Sequence, residues 1–309
     1  MKGYAKPLHE FIEGHKIQFV IPLYQRNYDW LIDNCDQLFG DLVKLSRSNR
    51  RSHFFGSIVT SSADSSYNRL VIDGQQRLTT ISLLLLAGIK AVKDGVIEIS
   101  EELKLKEAYE VFLKAEYCNS ERKIKLVPIE NDRIAYDKIF NEEDSFDEDS
   151  KVTRNYRHFY DLLTKKPQAL SFDQLLDAIE RLQIISIELD SDDDAQLIFE
   201  SLNSTGLALT EADKIRNYLL MSLTPEEQQV CFKNYWQKIE QATENQPTKF
   251  LRDYLTIQRQ LQRPVRQSNI YYEWKRYMDD HDRKDELVKM LDYAHYYQQV
   301  AEAKLSTTK

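Results

Sequence analysis

Asp73-Gly74-Gln75-Gln76-Arg77 sets a carboxylate, a glycine, two amides and a guanidinium in five consecutive positions. A short β-type run, Leu70 to Ile72, leads into the group, and a strongly apolar helix follows from about Leu78. Gly74 can take a positive φ or let a ligand approach the backbone closely. A helix start directs backbone N–H groups back at the turn, which favours an anion there. With Arg77 as a fixed positive charge and Asp73 able to hold a metal or orient water, the set suits a phosphate-bearing ligand. Two readings fit the residues equally: a phosphate site of this kind, or a strand-to-helix turn with an Asp cap and solvated amides. Short turn motifs are weak signals by themselves.

The elements around the turn must hold it. The helix from Leu78 to about Val92 is apolar nearly all round and is predicted to be buried, which would fix its N-terminal turn. Upstream, residues 4–15 read as a short helix, and Gln18 to Ile21 as a strand stopped by Pro22. Tyr24-Gln25-Arg26 follows in a loop. Either Tyr24 and Tyr28 pack while Arg26 pairs with a carboxylate, or the loop forms a second pocket wall. In that second reading Arg26 neutralises phosphate and Tyr24 stacks on a base or sugar. Trp30 to Leu45 carries Leu31, Cys35, Leu38, Leu42 and Leu45 at helical spacing. Asp41 falls among them, in a capping or ion-pairing role or facing the pocket; the first is preferred. Arg47 to His53 is a short basic loop, read as solvated surface or as a contact to a DNA backbone, and Phe54 to Thr60 is a strand.

The five-residue group matches the DGQQR signature of the N-terminal domain of GmrSD-type, modification-dependent restriction proteins, whose fold resembles ParB and sulfiredoxin. Ile21-Pro22-Leu23-Tyr24-Gln25-Arg26-Asn27-Tyr28-Asp29-Trp30 is similar to the upstream IPxYQRxYxW block of that family. Gln37 to Leu42 and Phe54 to Val59 resemble the helix and strand between the two blocks, and Ile198 to Thr210 resembles the block that closes the domain. The resemblance covers about the first 220 residues in order. It implies an α+β chain: a ParB/sulfiredoxin-like nucleotide-binding domain with a small mixed sheet over 1–220, then an all-helical domain over 221–309. It implies Asp73, Gln76 and Arg77 as catalytic residues and Asp73 as the Mg²⁺ ligand. Tyr24, Gln25, Arg26, Gly74, Gln75 and Thr79 are then the contacts to an NTP, as substrate or effector.

Composition narrows the classes. Only 8 Gly and 7 Pro in 309 residues argues for a mostly helical chain with few turns. The net charge of -8 leaves no general basic coat, so any DNA contact needs a local patch. Cys35, Cys118 and Cys231 are far apart, and the six histidines show no metal-ligand spacing, which argues against a disulfide framework or zinc site and suits a reducing cytoplasm. No signal sequence or membrane span is read, so the expectation is a soluble, cytoplasmic protein without a membrane partner. Neither a P-loop nor a Rossmann glycine pattern occurs.

Downstream, helices are predicted over Glu101 to Tyr117, Asn131 to Phe140, 152–164, 171–181, Ala195 to Leu202 and Thr210 to Leu223, with strands over Lys123 to Pro128 and Gln183 to Leu189. Glu142 to Asp149 reads as a mobile acidic loop. Asp190 to Asp194 reads as a helix-start acidic cluster, preferred over a metal site. Asn203, Gly206 and Arg216 read as turn architecture or, alternatively, as a cover for the nucleotide pocket. Helices fill the rest at about 225–244, 247–261, 268–280 and 284–304. There Lys249, Arg252, Arg259, Arg263, Arg266, Lys275 and Arg276 interleave with Tyr254, Tyr271, Tyr272, Trp274 and Tyr277, as a DNA surface does and as ordinary bundles also do.

The expected function is a nucleotide-binding, metal-dependent NTP-hydrolysing module of a restriction (phage-defence) system acting on modified DNA. The alternatives are a non-hydrolysing sensor that gates a nuclease, and a ParB-like DNA nickase. The family's His-Asn-His nuclease domain is not read in the last third, so cutting is assigned to a missing C-terminal domain or a separate nuclease subunit.

Overall fold

The computed structural model describes residues 1–62, 67–118, 120–121, 123–165, 170–190, 192–202 and 209–307. The chain forms two compact units: Met1–Pro22 with Asn27–Asp193, and Leu23–Arg26 with Asp194–Lys309. It is α+β, a mixed sheet with helices followed by a helical region.

In the first unit, β1 (Lys2–Pro7), α1 (Leu8–Ile12), β2 (Gln18–Val20), α2 (Ile32–Ser46), β3 (His53–Ser62), β4 (Asn68–Asp73) and α3 (Gln75–Lys93) come first. Then follow α4 (Glu102–Phe112), β5 (Leu126–Val127), α5 (Glu130–Phe140), α6 (Lys151–Thr164), α7 (Phe172–Glu180) and β6 (Leu182–Leu189). The six strands lie in the order β1-β6-β3-β4-β2-β5. β3 runs parallel to β6 and antiparallel to β4, so Asp73, at the end of β4, pairs with Val59. α3 is the core helix: Leu83, Leu84, Leu85, Ala87 and Ala91 are fully buried. That all-round burial is what its sequence predicts. It starts at Gln75, one turn earlier than the apolar run, because Gly74 in the left-handed region already turns the chain into it.

Three expectations shift. Residues 4–7 belong to a strand, not a helix: β1 is an exposed, polar strand paired only with β6, and an edge of that kind leaves no alternating apolar signal. The helix from Glu101 stops at Phe112, and the strand expected over Lys123 to Pro128 contracts to Leu126–Val127 plus a bridge between Lys114 and Ile124. The acidic 142–149 stretch is exposed, as expected, apart from Phe146, which meets Tyr156 of α6 edge-on at 5.9 Å, and Glu148 pairs with Arg157 at 2.5 Å.

The second unit contains α8 (Ala195–Leu202), α9 (Glu211–Leu220), α10 (Pro225–Cys231), a π-helical segment (Phe232–Trp236), α11 (Gln237–Ala242), α12 (Pro247–Gln258), α13 (Ile270–Met278) and α14 (Arg283–Thr307). Thr210 caps α9 reciprocally with Asp213, as its spacing predicts. Trp236, Phe250, Leu251, Tyr254, Ile270 and Trp274 are buried. No helix among the described residues is long and apolar enough to cross a membrane.

Candidate functional site

Gly74 has φ +98°, and a Cβ there would lie 3.0 Å from Ile58 Cγ1 and 3.2 Å from Ile58 Cα. Only glycine lets β4 turn into α3 against β3 at this distance. Three residues on, Arg77 folds back across β3: its Nη1 donates to the Ser57 carbonyl at 3.0 Å and lies 3.7 Å from Asp73 Oδ2. The guanidinium lies over Gly56, itself at φ +126°, where a Cβ would come within 2.6 Å of Arg77 Nε. The register of β3 against β6 shifts between Phe54 and Gly56, a bulge that re-aims the neighbouring side chains. Two glycines and a bulge therefore set the position of one arginine.

Gln76, 9% exposed, faces away from solvent: Oε1 accepts from the backbone N–H of Asp29 at 2.8 Å and of Trp30 at 3.2 Å, and Nε2 donates to the Asn27 carbonyl at 3.3 Å. Its amide thus clamps segment 27–30. The same segment is held by Asn155 of α6, whose Nδ2 donates to the Tyr28 hydroxyl and to the Trp30 carbonyl, each at 2.9 Å. Thr80 donates to the Gln76 carbonyl at 2.7 Å. The Tyr28 hydroxyl, 2.7 Å from Thr80 Oγ1, therefore donates to Thr80 and accepts from Asn155, giving an ordered chain from α6 to the first turn of α3. Asp132 of α5 accepts from the Tyr28 N–H at 2.6 Å, and burial raises its carboxyl to about 6. Burial also pushes the Tyr28 phenol up, keeping it neutral.

Arg77 borders an open cavity of about 210 Å³ within the first unit, lined also by Trp30, Asn34, Gln37, Leu38, Asp41, His53, Phe54 and Phe55. Asn34, Gln37, Leu38 and Asp41 form one stripe of α2 at positions i, i+3, i+4 and i+7. Asp41 pairs with Lys44 at 3.4 Å and stands 3.8 Å from His53, so it has both the ion-pairing role preferred from sequence and a place in the cavity wall.

The other candidates fall elsewhere. Thr79 is 2% exposed and Gln75 8%. Tyr24 and Gln25 are buried, and Leu23–Arg26 groups with the second unit, where the Tyr24 carbonyl accepts from Arg216 Nε at 2.9 Å. Arg216 also pairs with Asp213 at 2.8 Å and Glu240 at 3.1 Å, the architectural one of its two readings. Asn203 and Gly206 lie outside the described residues. Asp194 Oδ1 accepts from the Leu197 N–H at 3.0 Å, the helix-start role expected of the acidic run. Among the described residues no group of three or more His, Cys, Asp or Glu could hold a metal ion. In the second unit Tyr254, Trp274 and Tyr277 are buried, Arg259 pairs with Glu273, and Lys275 lies 3.3 Å from Glu200, an internal packing pattern; Arg263 and Arg266 are exposed. Trp30, Asn34, Gln37, Phe54 and Phe55 line the cavity although the sequence singles out none of them as a ligand contact. The polar spacing along α2 was the available signal for two of them.

In this mixed α+β unit the junction of β4 and α3 places Arg77 beside a cavity. Residues 8–220 match the GmrSD restriction endonuclease N-terminal domain, and the chain belongs to that family. It is accordingly a component of a restriction system acting on modified DNA. The match runs beyond Asp193 into the second compact unit. No curated relative matches the chain.

Proposed function

We propose that the Asp73–Arg77 turn binds the phosphates of a nucleotide and hydrolyses it, as the energy-using or regulatory step of restriction. The observation that carries this reading is the placement of Arg77, held by the Ser57 carbonyl, by Asp73 and by the space over Gly56, at the first turn of α3 and on the rim of a cavity. A fixed guanidinium at such a place can stabilise charge that develops on a transferring phosphoryl group. Gly74 brings backbone close to the ligand. Asp73 is a single half-buried carboxylate, which fits Mg²⁺ carried mainly by phosphate oxygens and water; bound there, the ion would neutralise phosphate charge. Gln76 acts in this reading as a positioning residue, since its amide is engaged by segment 27–30. Gln75 and Thr79 are assigned to the nucleotide by their place in the first turns of α3, and Tyr24, Gln25 and Arg26 by the family resemblance. The ParB/sulfiredoxin relationship and a separate nuclease partner belong to the same reading.

The test is phosphate release from each of the four NTPs with Mg²⁺, for the wild type, Asp73→Ala and Arg77→Ala, with and without modified DNA. Loss of about 10²-fold or more in both variants supports hydrolysis at this turn. Nucleotide binding without release by the wild type would leave a sensor that gates a nuclease.

A further inference from the structure

We infer that the cavity beside Arg77 is a base pocket selective for guanine, with Asp41 reading the base. This rests on the nucleotide reading above and extends it to the identity of the nucleotide.

A volume of about 210 Å³ lies below the roughly 300–1,000 Å³ of pockets that enclose a whole drug-sized ligand, so the cavity takes one part of a nucleotide. Its walls suit the base more than the phosphates. Trp30, Phe54 and Phe55 supply aromatic faces, Phe54 being 61% exposed at the rim, and aromatic faces stack on bases. Arg77 is the one lining residue that also belongs to the phosphate turn, and it joins the two ends of the site.

The α2 stripe decides which base. Asp41 offers two acceptor oxygens and, when ionised, no donor. Its partners are weak: Lys44 is 79% exposed at 3.4 Å, and His53 is 3.8 Å away. Four residues earlier, about 6 Å along the helix axis, the exposed Gln37 amide also lines the cavity. At Asn34, Oδ1 accepts from the Leu31 N–H at 2.9 Å, which leaves Nδ2 as a donor. The stripe thus presents a double acceptor beside amide donors. Guanine carries the complement on its Watson–Crick edge: N1–H and N2–H₂ donate side by side, with the O6 acceptor next to them. Uracil places acceptors on both sides of its single N–H, where a carboxylate would repel them. Adenine has no donor at N1. A site built on paired hydrogen bonds rejects a base that leaves them unmade.

The test uses the full chain with non-hydrolysable triphosphates of guanosine, adenosine, cytidine, uridine and xanthosine, titrated calorimetrically against wild type, Asp41→Asn and Arg77→Ala, with circular dichroism as a fold control. The expected result is tightest binding of the guanosine analogue. Asp41→Asn should weaken it about ten- to a hundred-fold and raise affinity for the xanthosine analogue, whose O2 acceptor now meets an amide donor. A residue that only shaped the fold would not exchange one base for another. Equal binding of all bases, or an Asp41→Asn loss shared by all of them, overturns the assignment while leaving the phosphate site intact. Binding of guanine-containing single-stranded DNA with no binding of the free triphosphate overturns it in favour of a polymer base. If no nucleotide binds at all, the phosphate reading falls and the base pocket with it.

Discussion

Arg77 occupies the space that a side chain at residue 56 would take: a Cβ on Gly56 would sit 2.6 Å from Arg77 Nε and 2.8 Å from Cζ. Gly56 also has φ +126°, where L side chains are strained. The β3 bulge and the arginine of the turn are therefore one device, although 20 positions separate Ser57 from Arg77.

Gly56→Ala should accordingly act on function as Arg77→Ala does, by displacing an unaltered arginine. We expect a stability loss of about 1–3 kcal/mol from backbone strain and a fall in phosphate release comparable to that of Arg77→Ala. Urea denaturation and the release assay measure the two separately. An Ala variant with wild-type release would mean that the guanidinium's place over Gly56 has no part in the reaction.

Gln76 differs from its neighbours in the turn. Gln76→Ala removes the partners of three backbone groups in segment 27–30. Leaving these part-buried groups unpaired costs about 1–3 kcal/mol, and the loosened segment carries Trp30, a wall of the cavity. Amide hydrogen exchange at Asp29 and Trp30 should accelerate in this variant. Unchanged protection there would show that Asn155 and Asp132 hold the segment without help from the glutamine.

Much of this arrangement was legible in the sequence, and the limits have physical causes. The apolar run after Leu78 marks a buried helix because burial on every side leaves no polar face. Thr210 and Ser171 mark helix starts because the reciprocal cap is local in sequence. Tyr28, Asp132 and Asn155, in contrast, meet through bonds spanning more than 100 residues, which no local spacing encodes. The β3 bulge was equally hidden: Phe54-Phe55-Gly56 reads as ordinary strand until the register against β6 is known. β1 was missed because an exposed strand need not alternate.

Within the helical unit, Arg216→Met should be among the most destabilising single changes. It leaves Asp213 and Glu240 without the cation they share and leaves the Tyr24 carbonyl without its donor. Breaking a buried ion pair from one side destabilises by about 3–5 kcal/mol. Thermal denaturation should show the drop, and Arg216→Lys should recover only part of it, since a single ammonium cannot reproduce the planar fork. Full recovery by lysine would reduce the site to simple charge balance.

Asp132 makes stability depend on pH in a direction opposite to that of most carboxylates. Burial raises its folded-state value to about 6, against 3.8 for an ordinary aspartate, with Asp29 adding to the rise and Lys151 opposing it. The native state therefore holds more protons than the unfolded chain between about pH 4 and 6. Stability from this group is complete below pH 4 and is lost as pH rises through 6, by at most about 3 kcal/mol for the difference between 3.8 and about 6. Asp132→Asn keeps a carbonyl to accept from the Tyr28 N–H but has no proton to lose. Urea denaturation of both proteins from pH 4.5 to 7.5 should thus show the variant gaining on the wild type as pH rises. Parallel curves would mean that the Asp132 carboxyl titrates alike in the folded and unfolded chain.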